Sequence, residues 1–148
     1  MQRLFAVPMV LACLAAAGVC AESRHASFVV SVNVPARAIL QVVEQPALIQ
    51  ISEQDVQRGY KDVAARYRVE SNTARGWLLR LAPRLGVAQQ IEVQGLRSPV
   101  VLAADAVEVH RPRAGEPEPL ALQYRFVLEP GTPPGSYHLP IHVSATPL

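Results

Sequence analysis

Two imidazoles four residues apart, His138 and His142 in the run His-Leu-Pro-Ile-His, come closest in this sequence to a metal-ligand pair. On a helix that spacing places both rings on one face, where they can hold a single ion. The residues around them alternate as in a strand, and four strand residues span about 13 Å, too far for two nitrogens each about 2 Å from one ion. A polar stripe facing solvent is therefore expected, unless a bulge at Pro140 draws the rings together. His25 and His110 stand alone. Nucleophilic chemistry would have to come from Ser27, Ser31, Ser52, Ser71, Ser98, Ser136 or Ser144, and none of these sits in a Gly-x-Ser-x-Gly turn. Glu53 with Asp55 and Glu116 with Glu118 are the closest carboxylate pairs. The first reads as a helix cap and the second as charge in a Pro-rich loop, so neither points to acid–base work. Gly131 and Gly135 flank prolines, which lack the amide donors that a phosphate-cradling loop needs. No catalytic, cofactor-binding or metal-ligating residue is assigned, and no cofactor is expected.

The elements that would have to carry any site are dominated by period two. Phe28, Val30, Val32 and Val34 alternate with Val29, Ser31 and Asn33, which predicts a strand with one wholly apolar face. Ala38–Val43 and Leu48–Ile51 also read as extended, separated by Glu44-Gln45-Pro46. Ser52 followed by Asp55 resembles an N-terminal capping pattern and predicts a short helical turn at Ser52–Gln57. Val63, Ala65, Tyr67 and Val69 form a second alternating run. Trp77, Leu79 and Leu81 form a third, and with the Ser71-Asn72-Thr73 turn between them the two read as a hairpin or as neighbouring strands. The same parity puts Trp77 in the core. Ile91 with Val93 and Val107 with Val109 give two shorter strands. The run Leu120, Leu122, Tyr124, Phe126 and Leu128 is the strongest and is expected at the centre of a sheet. Arg111–Pro119 reads as one long exposed loop, and Tyr137, Leu139, Ile141 and Val143 as a last strand, with Pro140 marking an edge or a bulge.

About eight to ten strands joined by Pro and Gly turns predict an all-β fold, a single immunoglobulin-like antiparallel β-sandwich. Its expected extent is residues 22–148. Residues 1–21 read as a signal peptide: Arg3 opens them, Leu4–Val19 are apolar, and Val19 and Ala21 occupy the −3 and −1 positions before Glu22. A membrane anchor would need a run of roughly 20 apolar residues, and Pro8 interrupts a shorter one. Val10-Leu11-Ala12-Cys13 has a lipobox-like order, but apolar residues follow Cys13 where a polar tether is expected. Cleavage after Ala21 removes Cys13 and Cys20, the only cysteines, together with every disulfide, thiolate nucleophile or Cys metal site they could supply.

The 148-residue chain is 50% hydrophobic and 18% charged, a globular balance. Removing Arg3 from its 14 basic residues leaves 13 against 12 acidic ones. Arg66, Arg68, Arg75, Arg80 and Arg84 cluster, but Asp62 and Glu70 are interspersed among them, so a solvated sheet face is expected rather than a nucleic-acid surface. No second apolar run is long enough to span a bilayer once the first 21 residues are removed.

The ending Pro133-Pro134-Gly135-Ser136-Tyr137, followed by an alternating strand to Pro147, resembles the close of bacterial pilin-type β-sandwich domains. The alternating segment Ser27–Val34 directly after the cleavage site is similar to their start. The stretch Val69-Glu70-Ser71-Asn72 to Gly76-Trp77-Leu78-Leu79 is similar to spore-coat-U-like secreted domains. The chain departs from many such pilins in having no disulfide after cleavage and in being rich in Arg. The resemblance implies a non-enzymatic structural or adhesion-related subunit of fimbrial type, in the periplasm or at the bacterial cell surface. It would pair by a β-strand with a protein partner or with itself, and Phe28, Val30, Val32 and Val34 would be the inserted side chains. The alternative is a monomeric periplasmic binding or accessory module that contacts a protein or small ligand through the loops Arg111–Pro119 and Pro130–Gly135.

Overall fold

A computed structural model of the chain describes residues 28–84, 86–112 and 116–148. The signal-peptide expectation for residues 1–21 falls outside them, as does His25. In chain order the elements are β1 (Ala38–Glu44), β2 (Leu48–Ile51), α1 (Glu53–Arg58), β3 (Tyr60–Ser71), β4 (Trp77–Pro83), β5 (Ala88–Gln94), β6 (Val100–Leu102), β7 (Val107–Arg111), β8 (Glu118–Leu128), β9 (Gly135–His138) and β10 (Ile141–Pro147). Every pairing is antiparallel. One sheet has the order β1-β3-β8-β5-β6, a second β10-β4-β7, and β2 with β9 form a two-stranded ribbon. The fold is the expected all-β antiparallel sandwich.

Its core follows from the alternation. Leu120, Leu122, Tyr124, Phe126 and Leu128 point inward from β8, the middle strand of the five. Ala65, Tyr67 and Val69 of β3 and Ile91 and Val93 of β5 join them from the same sheet, and Trp77, Leu79 and Leu81 of β4 with Ile141 and Val143 of β10 come from the other, all in one apolar cluster. Successive residues of a strand face opposite sides, so a single register commits a whole row to the core. Each fully buried Leu, Val or Phe contributes roughly 1.5–3 kcal/mol relative to exposure.

Three local expectations need correction. The runs at β3 and β4 are not a hairpin: β3 pairs with β1 and β8, whereas β4 lies in the other sheet between β10 and β7. The intervening turn carries the chain across the sandwich, with the Thr73 hydroxyl donating to the Gly76 carbonyl and the Gly76 amide donating back to Thr73. Alternation reports which face is buried and not which strand is the neighbour. The last predicted strand is two strands. It breaks at Leu139-Pro140, because proline has no amide to continue a ladder, so β9 pairs with β2 while β10 pairs with β4. The segment Phe28–Val34 belongs to no helix or strand of the single chain. A ladder requires a partner for its backbone amides and carbonyls, which alternation within one segment does not provide. In addition, Arg111 closes β7 and Glu118 and Pro119 open β8, so the loop between them is shorter than expected.

Candidate partner-binding site

Residues Val34–Leu148 form one compact unit. Before it, Phe28–Asn33 are exposed throughout, with Phe28 89% and Val30 82% accessible. Val32 and Val34 are also exposed, at 77% and 68%. These are the four side chains expected to enter a partner, and they constitute an unusual density of apolar surface for one short segment. The backbone that follows is anchored by one amide: Asn72 Oδ1 accepts from the Arg37 amide at 2.8 Å, and its Nδ2 donates to the Pro35 carbonyl at 2.8 Å. Asn72 belongs to the Ser-Asn-Thr turn, so that turn both carries the chain to β4 and fixes the entry to β1.

The strand orders leave β1 and β6 as outer strands of one sheet and β10 and β7 as outer strands of the other. Open edges invite further pairing unless they are short, charged or interrupted by proline. β6 has three residues, and β10 lies between Pro140 and its own Pro147. β1 is seven residues long with Ile39, Val42 and Val43 exposed, although Glu44 at its end is held by Arg66.

The residues considered for chemistry are mostly absorbed by the fold. Ser52 and Asp55 make a reciprocal capping box on α1, which Gly59 closes in the left-handed conformation. Asp55 is buried, and burial by itself raises its carboxyl. The Lys61 ammonium at 2.9 Å, the Ser52 amide and hydroxyl and the Arg58 guanidinium outweigh that effect and hold it well below the usual carboxylate range. The Tyr67 and Tyr124 hydroxyls meet at 2.9 Å inside the core. Burial pushes the Tyr124 phenol up, reinforced by Tyr67, and raises Tyr67 against a smaller opposing effect of the hydrogen bond. Arg125 donates to Asp62 from Nε at 2.9 Å and stacks 4.4 Å from the Tyr60 ring centroid, and Asp62 is the main cause that raises the guanidinium further. Glu118 is engaged by Arg111, and Glu116 is exposed. In the arginine cluster, Arg66 and Arg80 pair with Glu44 and Glu108, and Arg68 and Arg75 lie exposed. Arg66 and Arg68 are on β3, Arg80 on β4 and Arg75 in the turn between, so the arginines are solvated but divided between two sheets and not on the one sheet face expected. In the chain's closing motif the Tyr137 hydroxyl donates to the Pro133 carbonyl at 2.7 Å, a local clamp on the turn. His110 Nε2 lies 3.2 Å from the Arg75 carbonyl.

Among the described residues no serine hydroxyl is hydrogen-bonded to an imidazole, and no three His, Cys, Asp or Glu residues are grouped to hold a metal. No helix among them is long and apolar enough to cross a membrane. The break at Pro140 has one effect that the linear pattern did not reveal. His138 ends β9 and His142 is the second residue of β10, yet both line one cleft of about 380 Å³ together with Arg84. The prolines and the His spacing were visible in sequence, whereas the approach of Arg84 depends on sheet pairing.

No protein-family model, no curated protein and no solved structure matches the chain. The class of protein is therefore defined by the fold alone, an all-β antiparallel sandwich preceded by an exposed apolar segment.

Proposed function

We propose that this chain is a non-enzymatic exported β-sandwich protein, a structural or adhesion-related subunit of fimbrial type that assembles by offering residues 28–34 as a strand to a second copy or another protein. The observation that carries this reading is the apolar face Phe28, Val30, Val32 and Val34, exposed and unladdered before a unit that begins at Val34. Strand addition satisfies the segment's backbone groups and buries its alternate side chains in one step. A monomeric periplasmic accessory module is the second reading, favoured by a core in which Leu79, Leu81 and Phe126 are fully buried by the chain's own strands.

Light scattering on purified residues 22–148 across a concentration series separates the two. Strand exchange gives masses that grow with concentration and that a synthetic peptide of residues 22–34 caps. A constant monomer mass, indifferent to the peptide, overturns the subunit reading and leaves the accessory module.

A further inference from the structure

The cleft at the β9–β10 corner joins features that the strand-pairing reading does not use. Its accessible apolar lining is Val42, Pro46 and Ala47, beside the buried Leu139, Ile141 and Val143 of the core, and its polar lining includes Arg84, His138 and His142. None of its lining residues is acidic. Arg37, Arg58, Arg66, Arg80, Arg111 and Arg125 each face a carboxylate within the fold. Among the described residues no ion pair or side-chain hydrogen bond engages Arg84, His138 or His142, so three groups with N–H donors border the cavity uncommitted. Its walls are tied across elements: the Arg84 amide donates to the Pro140 carbonyl at 3.0 Å, and the Leu139 amide to the Ala47 carbonyl at 3.1 Å. A frame held in this way loses little freedom when occupied.

We propose that this cleft binds a carboxylate carried on a small apolar body, with Arg84 taking the carboxylate beside His138 and His142 and the lining around Val42, Pro46 and Ala47 taking the body. One permanent cation matches a monoanion, and a guanidinium fork matches the two oxygens of a carboxylate. The volume lies near the lower end of ligand pockets, roughly 300–1,000 Å³, which suits a small organic acid or the last residues of a peptide. The site takes no residue from the segment 28–34, since no lining residue precedes Val42.

The test is a titration of the ¹⁵N-labelled protein, followed by amide and side-chain chemical shifts, with four probes. These are hexanoate, the uncharged hexanamide, and an acetylated tetrapeptide ending in Leu with either a free or an amidated terminus. Saturable shifts confined to the residues around Arg84, His138 and His142 are expected with the carboxylates, and at least about tenfold weaker binding with either amide. Arg84→Gln should weaken carboxylate binding by about tenfold while leaving the rest of the spectrum unchanged, and His138→Asn by a smaller factor. Tighter binding of the peptide than of hexanoate identifies a peptide terminus as the source, and the reverse order a free acid. The proposal is overturned by the absence of saturable shifts with both carboxylates up to about 20 mM, or by equal binding of acid and amide, a comparison that needs no variant to fold.

Discussion

At the scale of single residues, the buried tyrosine pair and the buried Asp55 carboxylate have opposite requirements. Tyr67 and Tyr124 satisfy each other inside an apolar core, so removing one hydroxyl strands the other. Tyr124→Phe should cost about 1–3 kcal/mol, whereas the Tyr67→Phe/Tyr124→Phe double variant should cost less than the sum of the single changes. Urea denaturation of the four proteins gives the coupling, and strict additivity would refute the pairing. Asp55 is the reverse case, a buried carboxylate kept charged by Lys61, Arg58 and Ser52. Its folded pKa lies below the unfolded value near 3.9. The stability it confers is therefore present in full above about pH 4 and is lost as pH falls through the lower folded value. Asp55→Asn should cost on the order of 2 kcal/mol at pH 7 and flatten the stability profile below pH 4, which chemical denaturation at a series of pH values would show. The capping role was legible from Ser52 and Asp55 alone, because a box is a local pattern. The Lys61 contact was not, because it forms only once β3 turns back beside α1.

Among the elements, alternation marked β8, β3, β4 and β5 and their inward rows correctly, since burial of one face leaves a direct imprint on sequence. It misread connections, because the same imprint appears whether consecutive strands pair or lie in opposite sheets. The three-residue β6 was too short to carry any imprint. Gly95, between β5 and β6, shows a constraint that periodicity cannot display. Its φ is +94°, and a Cβ there would collide with the Ala121 carbonyl of β8. Gly131 has a similar φ of +83° but open space around it. Gly95→Ala should therefore cost about 2–4 kcal/mol and Gly131→Ala only about 1–2 kcal/mol. Thermal melting of both variants checks this, and equal losses would mean that backbone strain, and not the approach of β8, decides the cost.

For the molecule as a whole, the question is what the chain loses when the segment before Val34 is removed. Among the described residues, every member of the apolar core lies between Ile49 and Val143, and the partly buried residues packed on it begin at Ala38. The Asn72 clamp needs only Pro35 and Arg37. A chain of residues 34–148 thus retains the burial and backbone pairing seen in the sandwich among the described residues. It should melt within a few degrees of residues 22–148, the shift expected from less than about 1 kcal/mol for a domain of this size. Assembly should respond differently, because a strand that no longer exists cannot be offered to a neighbour. The expected outcome is a folded, monomeric truncation whose near-UV circular dichroism, dominated by Trp77 and the tyrosines, is unchanged. Loss of that signal together with the melting transition would show that residues 22–33 complete their own sandwich, and would remove them as a strand available to a partner.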